Sequence, residues 1–314
     1  MNAKEGLCPL CGLKSVSAYK KKKTYPLADN SVGRLDKCLS CGLVFQNPVP
    51  NDLHVFYEGY RGEEGKRFLN GVEIAVKFFR RRRAMAINAF FPRPGRILDI
   101  GCGRGYMLRK LAAMGWECFG TEFPGQASAN LPFTVYEKDP EDLGLQASSF
   151  DVVTLWHVFE HLKDPFSTLK EIDRILRPGG LLVISVPNIE SLQAKIFGGN
   201  WIHLDLPRHI YHFSPGSLSL ALEKKGFTII GMRHFSAEHG MSGIILSLGA
   251  ALTGQGPEFF NSLLDKKKKW RAYAIVVFSI FMAPFAAAFS TVEAFFKRGG
   301  EVIVLARKPG GTIE

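Results

Sequence analysis

The chain has 314 residues, of which 46% are hydrophobic and 22% are charged, and its formal net charge is +11. This composition predicts a globular protein with one large and one small domain, and the charge indicates an acidic partner: nucleic acid, anionic lipid or an anionic small molecule. The first residues hold no apolar run of signal-peptide length. Four of the six cysteines form two Cys-x-x-Cys pairs, and this pattern favours metal binding in a reducing compartment over a disulfide framework.

Two near-identical Cys-x-x-Cys-Gly motifs lie within residues 1–50. Their four thiolates belong to Cys8, Cys11, Cys38 and Cys41. Two such motifs supply the tetrahedral, closed donor set of a structural zinc ion. About fifty residues bury little core, so the metal would supply most of the folding free energy. We therefore predict a zinc ribbon without a catalytic role, and we interpret Lys20–Lys23 as a solvated hairpin tip rather than a nucleic-acid contact.

Residues 51–93 form the predicted helical linker. The stretch GVEIAVKFFRRRRAMAINAFF has apolar positions at helical spacing, with Arg80–Arg83 across its middle. We interpret it as a helix that covers one edge of the next domain, in preference to a helix whose arginines face a membrane.

The strongest functional signal is a strand, a glycine-rich turn, a helix and a second strand that ends in an acid. The strand Arg96–Ile100 runs into GCGRG; the helix is predicted over Tyr106–Met114 and the next strand over Trp116–Thr121, followed by Glu122. Such a turn lets a ligand approach the backbone closely, and a carboxylate at the second strand end can accept both hydroxyls of a ribose. A dinucleotide site is disfavoured, because the turn reads GCGRGY where GxGxxG is expected.

These motifs resemble those of the class I S-adenosylmethionine-dependent methyltransferases, over about residues 94–233 and again at the last strand. Asp99 to Gly105 resembles their first motif, Glu122 matches their ribose-binding acid, and Asp139 would hold the adenine amino group. The resemblance implies S-adenosylmethionine as cofactor. The implied cofactor-binding residues are Asp99, Gly101, Cys102, Gly103, Glu122, Asp139 and Trp156.

The resemblance also implies the fold, which is an α/β, Rossmann-like domain with a seven-stranded, mostly parallel sheet whose last strand is antiparallel. Gly226–Arg233 fits strand six and Glu301–Arg307 fits strand seven. The core would comprise 94–236 and 299–309, interrupted by a hydrophobic helical insertion at 237–298.

Both ends of this insertion are tied to one domain, so an odd number of membrane crossings is excluded. Met241–Thr253 is shorter than the roughly twenty residues of a helical span, which disfavours two full crossings. We therefore predict either a shallow helical hairpin or helices that lie in the interface, in a cytoplasmic protein attached peripherally or monotopically to the inner face of the membrane.

The helical pattern of the insertion predicts one bulky and one small face. The bulky face holds Phe278, Phe281, Phe285, Phe289, Val292 and Phe296, and the small face holds Ser279, Ala283, Ala286, Ala287 and Ser290. We expect the small face to pack on Gly243–Gly254 and the bulky face to enter lipid, with Lys266–Lys269 and Arg271 on anionic headgroups. The alternative is that the bulky face packs on protein, as in a homodimer.

Candidate catalytic residues lie beyond the predicted strands four and five, where ligands of open α/β sheets bind. The first group is His157, Glu160 and His161. The second lies in GGNWIHLDLPRHIYHFSP, with His209 as a catalytic candidate and with His203, Arg208, Tyr211 and His212 as substrate-binding candidates. We predict His157 or His209 as the proton acceptor and Arg208 as a clamp for phosphate or carboxylate; the alternative is a loop whose imidazoles bond to backbone.

The predicted function is methyl transfer from S-adenosylmethionine to a small-molecule, sugar or lipid-linked acceptor at the membrane surface. The ribbon plus core is similar to deoxysugar methyltransferases, and the core alone to quinone-biosynthesis methyltransferases. The alternative is a zinc-ribbon ribosomal-RNA methyltransferase, but the chain lacks the Asn/Asp-Pro-Pro-Tyr/Phe motif that many such enzymes use. A nonenzymatic cofactor-binding protein is disfavoured by the intact set Asp99, Glu122 and Asp139.

Overall fold

The structure, a computed structural model, describes residues 7–19, 25–26, 32–50, 70–125, 131–254 and 269–310. Lys20–Lys23, Lys266–Lys268 and most of the predicted linker lie outside the described residues. The chain divides into two compact units. The first comprises 1–63, 186–218 and 233–302, and the second comprises 64–185, 219–232 and 303–314. The four domains that the sequence suggests stay a prediction.

Twelve strands and seven helices lie in the described residues. The strands are β1 (Val16–Ala18), β2 (Tyr25–Pro26), β3 (Val32–Cys38), β4 (Val44–Asn47), β5 (Arg96–Ile100), β6 (Glu117–Thr121), β7 (Thr134–Tyr136), β8 (Phe150–Trp156), β9 (Leu176–Pro187), β10 (Tyr211–His212), β11 (Thr228–Arg233) and β12 (Glu301–Arg307). The helices are α1 (Asn70–Ala89), α2 (Tyr106–Ala112), α3 (Pro165–Ile175), α4 (Leu192–Phe197), α5 (Pro215–Glu223), α6 (His239–Thr253) and α7 (Lys269–Phe295).

The second unit is built on the predicted Rossmann-like sheet of seven strands, in the order β11-β12-β9-β8-β5-β6-β7. The pairs β5–β6, β5–β8, β6–β7 and β8–β9 are all parallel. Strand β12 runs antiparallel to β9, because Gly179 N donates to Lys308 O and Lys308 N donates to Gly180 O. The predicted fold class is confirmed.

The central strands are apolar on both faces because helices cover them. Ile97 and Leu98 of β5 are fully buried, and Leu108 and Leu111 of α2 pack into the same core. Each buried leucine stabilises the fold by about 1.5–3 kcal/mol. Helix α3 begins at a proline and is capped by Asp164, whose side chain accepts a hydrogen bond from Ser167 N at 3.0 Å.

Some predicted boundaries are wrong by two residues. Helix α2 ends at Ala112 rather than Met114, because the chain already turns toward Gly115, which has φ 90°. Strand β11 begins at Thr228 rather than Gly226, which has φ 83° and cannot continue an extended strand.

The first unit contains a small antiparallel sheet made from distant parts of the chain. Its strand order is β1-β3-β4-β10, with β2 paired to β3. Strand β10 pairs with β4 in the register Tyr211 to Phe45 and His212 to Val44. Leu35 and Val44 share a hydrophobic cluster with Trp201 and Leu204, so the cysteine-rich sheet and the histidine-rich segment have one common core.

Helices α6 and α7 also belong to the first unit. The small face of α7 is buried as predicted: Ala286 packs against Ile244 and Ile245 of α6, and Ser290 is 1% exposed. The prediction that all of the bulky face is free was wrong for Phe278 and Phe289, which pack on the same cluster. The exposed large apolar side chains in and directly after α7 are Val277, Ile280, Phe281, Phe285, Val292, Phe295 and Phe296, and four of them, Phe281, Phe285, Val292 and Phe296, belong to the predicted bulky face.

By length and composition alone, the described residues contain one helical stretch that could cross a bilayer, Val277–Phe295. Its mean hydropathy is 1.5, and 17% of it is buried. A core helix of that hydropathy would be mostly buried. Most of this stretch is therefore apolar surface without a covering layer among the described residues.

Candidate functional site

The glycine-rich turn at the carboxyl end of β5 is the centre of the candidate site in the second unit. Gly101 and Gly103 have φ values of 69° and 61°, which side chains other than glycine adopt only with strain. A Cβ atom at Gly101 would lie 2.4 Å from Val158 Cγ2. The turn therefore needs glycine both for its backbone conformation and for its close packing, and it leaves main-chain atoms open to a ligand.

Glu122, which follows β6, is held against this turn. Its Oε2 accepts a hydrogen bond from Gly103 N at 2.8 Å, and its Oε1 accepts one from Phe123 N at 3.2 Å. The side chain is 9% exposed, so these bonds fix the orientation of a nearly buried carboxylate. A carboxylate fixed beside an open glycine turn has the chemistry needed to accept two ribose hydroxyls.

Asp99 is the last acidic side chain before the turn and is buried. Thr154 Oγ1 donates to Asp99 Oδ1 at 2.6 Å. Burial raises the pKa of Asp99 to about 7, and the Thr154 hydrogen bond opposes that rise. Asp99 is thus divided between its neutral and charged forms near neutral pH, and the hydroxyl of Thr154 favours the charged form.

The other predicted cofactor residues lie around this turn with less direct support. Cys102 N donates to Thr121 O at 3.0 Å and so joins the turn to β6. Asp139 is exposed and precedes a short 3-10 helix at Pro140–Asp142. Trp156 was predicted to bind the cofactor; the Arg83 guanidinium carbon lies 4.1 Å from its ring centroid, so α1 covers one face of the indole.

His157 and Glu160 form a pair at the carboxyl end of β8. His157 has φ 55°, a strained value for this residue, and its backbone N donates to Ser185 O at 2.9 Å. His157 Nδ1 lies 3.4 Å from Glu160 Oε1, and Glu160 is 1% exposed. A buried carboxylate that faces one ring nitrogen orients the imidazole and favours proton uptake at the other nitrogen. His161 N donates to Val158 O at 2.9 Å, which closes the short helix around this pair.

The predicted substrate residues lie in the first unit, on residues 201–212, which we call the acceptor segment. His209 is 6% exposed; its Nδ1 lies 2.8 Å from His203 O and its Nε2 lies 3.6 Å from Asp205 Oδ2. Arg208 Nη2 lies 2.6 Å from Asp205 Oδ1, so its guanidinium already has a carboxylate partner inside the chain. One ring nitrogen of His209 thus faces a backbone carbonyl and the other faces a carboxylate, and its catalytic role stays a prediction.

Other members of the segment are packed as well. Tyr211 and His212 are 5% and 3% exposed and belong to β10, and His203 Nε2 lies 3.2 Å from His239 O. The structure thus places His203, His209 and His212 close together, with the rings of His209 and His212 6.2 Å apart.

The four predicted metal ligands converge in the first unit. The sulfur atoms of Cys8, Cys11, Cys38 and Cys41 all lie within 4.8 Å of one another, and none forms a disulfide. Burial raises the pKa of the Cys38 thiol, but hydrogen bonds from the backbone N–H groups of Cys41 and Ser40 outweigh burial and lower it to about 7. This four-thiol set fits a structural zinc ion.

Four polar residues that the sequence did not single out organise these sites. Thr154 supports Asp99; Gln46 Nε2 donates to Pro207 O and to His209 O, both at 2.7 Å; and Gln193 bonds to Glu293 at 2.7 Å. Only Glu293 carried a usable signal, as the sole acidic residue within α7. The others are common polar side chains whose partners are distant in sequence.

Comparisons with known proteins agree with the motif resemblance. A family model described as a methyltransferase domain matches residues 76–231. A ubiquinone biosynthesis O-methyltransferase of Cereibacter sphaeroides is 32% identical over 133 residues, which cover 38% of this chain and 53% of the relative. The enzyme of the same description from Mesorhizobium japonicum is 30% identical over 174 residues, covering 50% of this chain and 68% of the relative.

The chain spans about half of the length of the first of these relatives (53%). Among solved structures, the fold is similar to that of phosphoethanolamine N-methyltransferase 2 from Haemonchus contortus in complex with S-adenosyl-L-methionine, with a TM-score of 0.50 and 16% identity. That likeness covers 91% of this chain and 71% of the other, and it concerns the fold alone.

Proposed function

The chain belongs to the class I S-adenosylmethionine-dependent methyltransferases, and we propose that it methylates a hydroxyl oxygen of a small acceptor that carries a membrane-resident tail. The observation that carries the proposal is the Glu122 carboxylate held on Gly103 N at the turn after β5. Its relatives from Cereibacter sphaeroides and Mesorhizobium japonicum are O-methyltransferases of ubiquinone biosynthesis, which supports an oxygen acceptor.

In this proposal, S-adenosylmethionine when bound supplies an electrophilic methyl group on a positively charged sulfur. Glu122 accepts the ribose hydroxyls, Asp139 accepts the adenine amino group, and Asp99 with the main chain of the turn holds the amino-acid end. Because methyl transfer is an in-line displacement, the protein's contribution is mainly to align the acceptor oxygen and to remove its proton.

We assign the proton acceptor to His157. Its Nδ1 faces Glu160 Oε1 at 3.4 Å, so Nε2 is the ring nitrogen that takes the proton of the acceptor hydroxyl. His209 is a weaker candidate, because both of its ring nitrogens already face oxygen atoms of His203 and Asp205. In the first unit, we propose that the four cysteines bind zinc structurally and that the acceptor segment binds the acceptor.

Attachment to the cytoplasmic face of a membrane is part of the proposal. Phe281 and Phe295 of α7 are 77% and 81% exposed, and Phe285 is 55% exposed. Aromatic side chains placed on the outside of a helix of this hydropathy fit the acyl-chain boundary of a bilayer. The same face contributes nothing to phosphate binding, so it favours a lipid-tailed acceptor over RNA.

A methyl-transfer assay tests the function. The full chain is incubated with methyl-labelled S-adenosylmethionine and vesicles of phosphatidylcholine and phosphatidylglycerol. In one sample the vesicles contain a polyprenyl-tailed catechol, and in a second they contain a tail-free catechol. In a third sample they contain neither catechol, and total RNA is added. We expect label on the tailed catechol and little on the others. Label on RNA alone would replace the proposal with the ribosomal-RNA alternative, and label on neither catechol would refute it.

Replacing Phe281 and Phe285 with glutamate should release the protein from such vesicles. Each buried phenylalanine contributes about 1.5–3 kcal/mol, so each replacement is expected to weaken vesicle partitioning about tenfold or more. Leu39→Glu is the matched control, because Leu39 is 65% exposed on the ribbon and gains the same charge. Co-sedimentation with vesicles measures the effect. Unchanged pelleting of the phenylalanine variants would indicate that this face packs on protein, and gel filtration would then show a dimer.

A further inference from the structure

A buried polar cluster in the first unit joins the two apolar helices to the acceptor segment. We call Gln193, Trp201, Glu293 and Gly300 the Gln193 cluster. Gln193 Nε2 donates to Glu293 Oε1 at 2.7 Å, and Gly300 N donates to the same oxygen at 3.0 Å. Trp201 Nε1 in turn donates to Gln193 Oε1 at 3.1 Å. One amide side chain thus connects α7 with the first residue of the acceptor segment.

The cluster is packed too tightly for its members to move independently. A Cβ atom at Gly300 would lie 2.0 Å from Gln193 Nε2, and one at Gly243 would lie 2.5 Å from Gln193 Oε1 and 2.7 Å from His203 Nε2. Gln193, Trp201 and Glu293 are each at most 1% exposed. A shift of α6 or α7 by a fraction of an ångström must therefore displace Gln193 or His203.

A second link runs from α6 to the same segment. Ile202 N donates to Ser247 Oγ at 3.0 Å, and His203 Nε2 lies 3.2 Å from His239 O. Trp201, Ile202 and His203 are consecutive, so the start of the acceptor segment is held by both helices. The end of the segment is held separately, by the pairing of β10 with β4.

Glu293 acts in the cluster as a buried hydrogen-bond acceptor through its Oε1. Burial raises its pKa, although hydrogen bonds from Gln193 and Gly300 oppose the rise. Among the described residues its Oε2 has no hydrogen-bond partner, and a charged oxygen would be costly in that position. A glutamine at position 293 can therefore replace it, whereas alanine would leave Gln193 Nε2 and Gly300 N without their acceptor.

We infer that Gln193 and Glu293 are positioning residues that transmit lipid contact at α7 to the acceptor segment. The inference rests on the proposed membrane function and adds that lipid contact regulates the acceptor segment. Lipid contact restrains α7, Glu293 moves with the helix, and Gln193 passes the displacement to Trp201. The expected consequence is tighter acceptor binding on the membrane, with cofactor binding unchanged.

Hydrogen–deuterium exchange of the full chain tests the inference without an acceptor. The probe is vesicles of phosphatidylcholine and phosphatidylglycerol, and co-sedimentation of the same samples measures binding. In the natural chain we expect vesicles to slow exchange in peptides over 201–212 by about five- to tenfold, the size of one gained hydrogen bond. Glu293→Gln should keep this response. Glu293→Ala and Gln193→Met should bind vesicles but respond less than about twofold.

Gln193→Met keeps the side-chain volume of glutamine but removes its amide group. Far-ultraviolet circular dichroism and calorimetry with S-adenosylhomocysteine show whether each variant is folded. Gln146→Ala, an exposed glutamine outside the cluster, is the control and should respond like the natural chain. A vesicle-bound natural chain with unchanged exchange over 201–212 would overturn the inference alone, as would a normal response in Gln193→Met. A natural chain that does not sediment with vesicles would overturn both the inference and the membrane proposal.

Discussion

Replacement of Cys38 by serine is expected to abolish metal retention and to unfold the cysteine-rich part of the first unit. Ordering a residue costs about 1–2 kcal/mol of backbone entropy, and the few buried apolar side chains there, such as Leu35 and Leu43, offset little of it. A structural zinc ion contributes about 10–16 kcal/mol in small domains, so its loss dominates the balance. Metal content after gel filtration, by plasma mass spectrometry, measures the first effect.

The same replacement should also loosen the acceptor segment. Strand β10 is paired to β4, and Gln46 Nε2 donates to both Pro207 O and His209 O. When the ribbon unfolds these bonds are lost together, so exchange over 207–212 should rise by about a hundredfold, as for the loss of two or more hydrogen bonds. Acceptor KM should rise with it, whereas S-adenosylhomocysteine affinity should not.

Cys102→Ser is the matched control for metal content, because Cys102 forms no disulfide and lies outside the four-cysteine cluster. It should retain the metal of the natural chain. A Cys38→Ser protein that still carries one equivalent of zinc would contradict the four-thiol assignment. A metal-free protein with normal exchange over 207–212 would show instead that the ribbon is stable without its ion.

Local sequence patterns were enough to predict the first strand, glycine turn, helix and second strand of the sheet in the second unit, whereas its seven-stranded form followed from the family resemblance. The apolar run at Arg96–Ile100, the glycine turn and the acid at Glu122 each depend on neighbours within a few residues, and the structure places Glu122 beside that turn, on Gly103 N. The antiparallel last strand followed from the family resemblance. Whether these residues bind the cofactor stays a prediction.

The long-range contacts could not be predicted from a single sequence. Strand β10 has two residues, Tyr211 and His212, and it pairs with the distant strand β4. The nearby hydrogen bond between Gln46 and His209 joins residues that are 163 positions apart in the sequence. Nothing in a two-residue strand specifies such a partner. The burial of Phe278 and Phe289 was missed for a related reason, because phenylalanine occurs on more than one side of the helix and only packing on α6 decides which side is buried.

A matched pair of glycine replacements separates backbone strain from loss of the cofactor site. Gly101 and Gly144 have φ values of 69° and 59°, so alanine is strained at both, by about 1–3 kcal/mol. A Cβ atom at Gly144 meets nothing within 4 Å, whereas one at Gly101 would lie 2.4 Å from Val158 Cγ2. Gly101→Ala therefore adds an overpacking cost of about 1–3 kcal/mol, with a displacement of Val158 or of the turn itself.

We expect Gly144→Ala to lose stability in urea unfolding and to bind S-adenosylhomocysteine normally. Gly101→Ala should lose more stability and bind about fivefold to a hundredfold more weakly in calorimetry, since a displacement cost of about 1–3 kcal/mol falls on the atoms proposed to contact the ligand. Both variants carry the same side chain on a similarly strained backbone, so a difference between their S-adenosylhomocysteine affinities reports on the turn after β5 and not on backbone strain. Equal affinity in the two variants would mean that the ligand does not use the turn after β5, and the assignment of Glu122 to the ribose would fail with it.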